Sequence, residues 1–361
     1  MTHRQPGLPS TAAVDPGHAA WSAATLACLL AVAGCSRDHA EPARDAALPR
    51  LPIDPQSVTV SGISAGGYMA VQMHVAHSAL VHGAGVLAAG PYLCAEGSMR
   101  HALGRCISGD EPIPTGRLLE TTSHLALEGR IDPIAGLADD RVWIFHGAAD
   151  QIVRTPVVDA LETYYAALVD PAHIARTEHP TAGHTFPTDR GGAACEATES
   201  PFLGDCAFDA AGKLLEHLYG PLEPDAAADP VHLVQFDQSG YAAAGGSRSL
   251  APQGWLYVPT ACATAQDADC RLHVVFHGCK QGASFVGDVF VRGSGYLEAA
   301  EANRIVLLFP QLLPSFQPLN PNGCWDWWGY EGEDYATQAG PQIRAVRAMI
   351  ADLMSATSGS P

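Results

Sequence analysis

Between Ser57 and His77 the chain reads S-V-T-V-S-G-I-S-A-G-G-Y-M-A-V-Q-M-H-V-A-H, and no other stretch narrows the possible folds as far. A β-branched run, Val58-Thr59-Val60, passes through Gly62-Ile63-Ser64-Ala65-Gly66 into an apolar segment that carries Met69, Val71, Met73, Val75 and Ala76. The order predicts strand, sharp turn and helix, the context in which a G-x-S-x-G serine is held above the edge of a sheet. Side chains in place of the glycines would collide in such a turn. Ser64 is therefore the candidate nucleophile, and the amide of Ala65 at the helix start is a candidate oxyanion donor. A serine in a glycine-rich turn can equally serve packing, so the reading depends on a base, an acid and a second donor elsewhere.

An acid and a base follow in the order Ser, Asp, His used by α/β-hydrolases. Val142 to Phe145 is a continuous apolar run, as in a strand buried on both faces, and it leads into His146-Gly147-Ala148-Ala149-Asp150. An aspartate just beyond such a strand lies at the carboxyl edge of the sheet, where α/β enzymes build their sites. Asp150 is the candidate acid, although it could also cap the helix expected from Pro156 to Leu168. His184 lies in Ala182-Gly183-His184-Thr185-Phe186-Pro187 and is the candidate base. The three belong together chemically: imidazole takes the proton from an otherwise poor hydroxyl nucleophile, and the carboxylate fixes its tautomer and stabilises the imidazolium. His74 and His77 are read as a solvated helix face rather than a metal pair, and His146 as a packing residue.

With 361 residues, 47% hydrophobic and 16% charged, the chain can bury a large core as one α/β domain. A formal charge of -18 and the lack of a basic cluster argue against a nucleic-acid partner. The apolar run from Ala19 to Ala33 has the length and small-residue ending of an export signal. It closes on Ala33-Gly34-Cys35, which resembles a bacterial lipoprotein box with Cys35 as the lipidated residue. We expect a leader over residues 1–34, a polar tether over 35–56 and a catalytic domain over 57–361. The location expected is exported: lipid-anchored in the cell envelope, periplasmic or extracellular.

Excluding Cys28 and Cys35, eight cysteines remain, an even number suited to a disulfide framework in an oxidising compartment. Short spacings suggest Cys94 with Cys106, Cys195 with Cys206 and Cys262 with Cys270, leaving Cys279 with Cys324, from 105 possible connectivities. No C-x-x-C is present, and no metal or other cofactor is expected.

Fewer than thirty residues of the expected mature chain precede Ser64, whereas an α/β-hydrolase ordinarily needs on the order of 80 to 100 for its first strands and oxyanion loop. Three further strands are legible after His184: Gly254 to Pro259, Leu272 to Phe276 running into His277-Gly278-Cys279, and Arg304 to Pro310. A circularly permuted hydrolase would show this order.

Taken together, G-I-S-A-G-G-Y-M-A, H-G-A-A-D, A-G-H, H-V-V-F-H-G-C-K-Q and N-G-C-W-D-W-W-G resemble the circularly permuted esterases typified by extracellular poly(3-hydroxybutyrate) depolymerases. The resemblance covers about Val58 to Met354. It implies a triad of Ser64, Asp150 and His184, oxyanion amides from Ala65 and Cys279, and a Cys279–Cys324 bridge. It also implies that the loop from Cys324 to Tyr330 lines the cleft, with Tyr330, Trp325 and Trp328 as substrate-binding rings, although burial of Trp325 or Trp327 is the simpler reading of the rings themselves. Expected partners are a polyester or oligoester, and a membrane if Cys35 is lipidated; a monomer is expected. Two other readings stand beside this one: an esterase for feruloyl or acetyl groups on carbohydrates, and a non-catalytic polymer-binding surface lipoprotein.

Overall fold

The computed structural model describes residue 2, residues 47–265 and residues 269–354. Apart from residue 2, the expected leader lies outside the described residues, as do Cys35 and the tether as far as residue 46. The described residues from 47 to 354 fall within one compact unit, and among the described residues no helix is long and apolar enough to cross a membrane.

In chain order the strands are β1 (Ile53–Ile63), β2 (Gly83–Leu87), β3 (Arg141–Gly147) and β4 (Ile174–His179), then the short β5 (Phe186–Thr188), β6 (Ala193–Ala194) and β7 (Leu203–Asp205). After these come β8 (Leu233–Asp237), β9 (Gln253–Tyr257), β10 (Cys270–Phe276), β11 (Ile305–Phe309) and the two-residue strands β12 (Ser315–Phe316) and β13 (Leu319–Asn320). Eight of them build one sheet in the order β4-β3-β2-β1-β10-β11-β9-β8. Only β9 runs against its neighbours; the other pairings in this sheet are parallel. Thus β1, the first strand among the described residues, is central in the sheet, flanked by β2 and by β10 from the C-terminal half. Counted from β8, the spatial order reads 1-2-4-3-5-6-7-8, with Ser64 following the fifth strand.

The central strands are the continuous apolar runs, covered on both faces: every residue of β2 and β11 is buried. The helix Ala65–Ala76 is likewise buried along its whole length, as expected of a segment that is apolar all round. Two strands of the eight-stranded sheet escaped the sequence reading. In β4, I-A-R-T-E-H, and β8, L-V-Q-F-D, polar side chains interrupt the apolar run because both lie at sheet edges with part of their surface in water.

Two expectations are corrected here. The tether does not extend to residue 56, since Leu48 is buried, Leu51 N–H donates to Leu353 O at 2.8 Å and Ile53 pairs with Cys270. Prolines at 49, 52 and 55 mask these apolar anchors in the sequence. Nor do His74 and His77 form a solvated face. His74 is fully buried, its Nε2 3.0 Å from Asp140 Oδ2 and its Nδ1 3.1 Å from Tyr165 Oη. Burial lowers the His77 pKa to about 4.

Candidate active site

The turn from β1 into the following helix leaves no room for side chains. A Cβ on Gly62 would lie 2.3 Å from Gly66 O, and one on Gly66 would lie 2.1 Å from Phe276 O and 2.6 Å from His277 O. Glycine at these positions lets the helix approach the end of β10. Between them Ser64 adopts φ 58°, ψ −124°, a strained conformation for a residue with a Cβ. Its backbone is held on both sides: its N–H donates to Leu87 O at 2.9 Å, and its carbonyl accepts from Tyr68 N–H at 3.0 Å.

Asp150 and His184 meet at the same sheet edge. His184 Nδ1 is 2.8 Å from Asp150 Oδ2, and the Asp150 side chain is wholly out of solvent. The other carboxylate oxygen, Oδ1, accepts from the amides of Ile152 and Val153 at 2.7 and 2.9 Å. His146 Nε2 lies 3.1 Å from Val153 O, so this histidine secures the turn that carries the acid. On the base side, Gly183 N–H donates to Cys195 O and His184 N–H to Thr198 Oγ1.

Ser64, His184 and Cys279 line one cavity of about 360 Å³, with walls from Ile63, Ile107, Ile152 and Phe202. No hydrogen bond joins Ser64 Oγ to His184 among the described residues; such contacts commonly tighten only in the Michaelis complex. A larger cavity, about 470 Å³, opens between the helix Thr115–Leu127 and residues 329–337, away from the serine elbow. The amides of Ala65 and Cys279 donate to no acceptor among the described residues, whereas Gly278 N–H is taken by Gln281 Oε1 at 2.8 Å. Two amides beside one serine are suited to a developing oxyanion.

His277, next to this turn, is no competitor for the role of base. Burial lowers its pKa to about 4, and both ring nitrogens are engaged, Nδ1 with Gly278 O at 2.8 Å and Nε2 accepting from Leu312 N–H at 3.3 Å.

All four expected disulfides are present: Cys94–Cys106, Cys195–Cys206, Cys262–Cys270 and Cys279–Cys324. Three brace loops around the cavity, since Ile107 follows Cys106, the Cys195–Cys206 loop carries Thr198 and Phe202, and Cys279 itself lines the wall. His179 with Cys195 and Cys206 is the compact metal-type cluster among the described residues. Its two sulfurs are joined to each other, which removes the thiolates a metal would need.

The aromatic loop differs from expectation, for none of Trp325, Trp328 and Tyr330 lines this cavity. Trp325 is fully buried, edge-on to Phe276. Trp328 is half-buried against Trp327 and Tyr330. The Tyr330 hydroxyl donates to Cys324 O at 2.7 Å and accepts from Asn320 and Gln342 side chains, and burial pushes its pKa upward. The Asp326 carboxylate accepts from the amides of Gly329, Tyr330 and Glu331, while burial raises its pKa to about 6.

The cavity walls were largely hidden in the sequence. Ile152 adjoins the H-G-A-A-D motif, and Lys280 and Asn322 lie inside quoted motifs, so these could have been found on that ground; Ile107, Thr198 and Phe202 carry no local signal.

A serine on a strained strand-to-helix turn, facing a buried histidine–aspartate couple at the edge of a mainly parallel sheet, defines a serine esterase of the α/β-hydrolase class. Comparison with known proteins narrows the class. No family model matches the chain. It is 42% identical over 341 residues to the poly(3-hydroxybutyrate) depolymerase of Delftia acidovorans, covering 94% of this chain and 67% of that protein. It is 33% identical over 330 residues to the polyhydroxybutyrate depolymerase of Talaromyces funiculosus, covering 87% and 94%. Among solved structures it matches the PHB depolymerase of Penicillium funiculosum with a TM-score of 0.80 and 31% identity, over 86% of this chain and 99% of that one. A PHB depolymerase complexed with an R-3HB trimer matches equally well. The chain belongs to the poly(3-hydroxybutyrate) depolymerase family.

Proposed function

We propose that the protein hydrolyses the ester bonds of poly(3-hydroxybutyrate) or its oligomers through an acyl-enzyme on Ser64. The observation that carries this reading is the junction of the strained Ser64 elbow and the buried His184–Asp150 couple in one cavity. Ser64 Oγ attacks the ester carbonyl while His184 Nε2 takes its proton, and Asp150 holds the Nδ1 proton and stabilises the imidazolium. The tetrahedral oxyanion is received by the amides of Ala65 and Cys279. Collapse breaks the ester C–O bond, and His184 returns the proton to the departing alcohol. Water activated by the same histidine then frees the carboxylic acid and restores Ser64.

The apolar walls supplied by Ile63, Ile107, Ile152 and Phe202 suit a methyl-bearing aliphatic ester better than a sugar. We further read the fold as circularly permuted, supported by the central place of the first strand and by the second half of the chain supplying β8 to β11. Four disulfides fit an exported protein. Anchoring through Cys35 and a monomeric state complete the proposal.

A fluorophosphonate probe tests the nucleophile. Label should appear on the peptide containing Ser64 and be lost in Ser64→Ala. Label on another serine would remove the assignment.

A further inference from the structure

Among the described residues lining the cavity that holds Ser64 and His184, Lys280 alone carries a permanent charge. Lys213 is paired with Glu216 at 3.0 Å, whereas the exposed Lys280 ammonium has no ion-pair or hydrogen-bond partner among the described residues. The backbone of Lys280 lies at φ 58°, in the left-handed region. It is held there by its own N–H, which donates to Asn322 O at 2.7 Å, and by the adjacent Cys279–Cys324 bridge. Glycine or asparagine would adopt this conformation at less cost, so the turn does not account for a lysine. Nor does the general surface, since the chain carries a formal charge of -18. The cation is placed where a field from the rest of the protein would repel an anion.

A hydroxyacid oligomer ends in a carboxylate, and that end belongs to the fragment leaving as the alcohol when the preceding ester is cleaved. We propose that Lys280 is a specificity-determining residue that binds this terminal carboxylate, seating the leaving unit while Ser64 attacks the ester carbonyl before it. The proposal rests on the esterase reading of the cavity. It makes oligomers with a free acid end better substrates than the same oligomers with the end capped.

The test compares kcat/KM for internal ester cleavage in the 3-hydroxybutyrate trimer acid and its methyl ester, for wild type, Lys280→Met and Lys280→Arg. The acid should be preferred by about three- to fivefold, the size of a partly solvated ion pair. The preference should vanish in Lys280→Met, persist in Lys280→Arg and weaken as salt is raised. An unchanged acid-to-ester ratio in Lys280→Met overturns the proposal. If that variant does not fold, a wild-type ratio that is insensitive to salt overturns it instead. Cleavage of both trimers at equal rates sinks the role of Lys280 while leaving the esterase intact; cleavage of neither sinks both.

Discussion

The imidazole of His184 meets the carboxylate of Asp150 at 2.8 Å, and the second oxygen of that carboxylate is fixed by the amides of Ile152 and Val153. The acid therefore has little freedom to turn, and His184 is held with its Nδ1 proton toward Asp150 and Nε2 available to the cavity.

Asp150→Asn should leave the fold nearly intact, since an amide can occupy the same space. It should lower kcat by about 10⁴-fold, because the wrong imidazole tautomer is then favoured. Steady-state hydrolysis of p-nitrophenyl butyrate reads the loss, and retention of more than a tenth of the rate would take Asp150 out of the mechanism.

Gly66→Ala should destabilise the protein by about 1 to 3 kcal/mol, because its Cβ would sit 2.1 Å from Phe276 O with only backbone to give way. Gly116→Ala, where nothing lies within 4 Å of the added carbon, is the matched control. Urea titration of the two variants measures the difference, and equal midpoints would contradict the close approach of helix to β10.

Loss of the Cys279–Cys324 bridge, which closes a sequence separation of 45, should cost about 4 kcal/mol in the chain-entropy picture. The Cys262–Cys270 bridge spans a separation of 8 and should cost about 2.5 kcal/mol. Cys324→Ser should also lower kcat, because the turn bearing the Cys279 amide loses its anchor, whereas a Cys262–Cys270 double serine variant should affect stability alone. Equal effects on kcat from the two would separate the bridge from the oxyanion turn.

Much of this site was legible in the chain because its chemistry is local. The elbow glycines, the aspartate beyond a buried strand and the A-G-H turn each bring a functional group to a sheet edge, and the cysteine spacings pointed to the bridges found. Cavity walls are a different matter. Ile107 and Phe202 reach the cavity of Ser64 through long-range packing, which no local pattern encodes. The C-W-D-W-W-G-Y loop misled for a related reason: aromatic content predicts burial or contact, but not which side of the wall a ring occupies. His74 was misread because a histidine on a helix looks solvated until its partner, Asp140, arrives from 66 residues away.

Burial lowers the pKa of His77 and His277 to about 4 and of His273 to about 3. Below the ordinary histidine value of about 6.5 the unfolded chain takes up protons that these native residues refuse, so stability falls as pH falls. Each contributes a slope of about 1.4 kcal/mol per pH unit between about 6.5 and its folded value. Asp326, raised to about 6, opposes them with stability gained as pH drops from 6 toward 4. The net expectation is a declining melting temperature from pH 6.5 to 4.5, with a shallower decline in His77→Gln. A rising melting temperature over that range would contradict the buried neutral histidines.

The central claim is tested most directly by acid release from amorphous poly(3-hydroxybutyrate). The full chain is expressed in an oxidising compartment, with Ser64→Ala alongside and p-nitrophenyl butyrate as the control ester. Wild type should release 3-hydroxybutyrate units and Ser64→Ala none, with turnover of the small ester lost in parallel. Polymer cleavage that survives in Ser64→Ala, or a wild type that turns over the small ester yet leaves both polymer and oligomers untouched, would contradict the account.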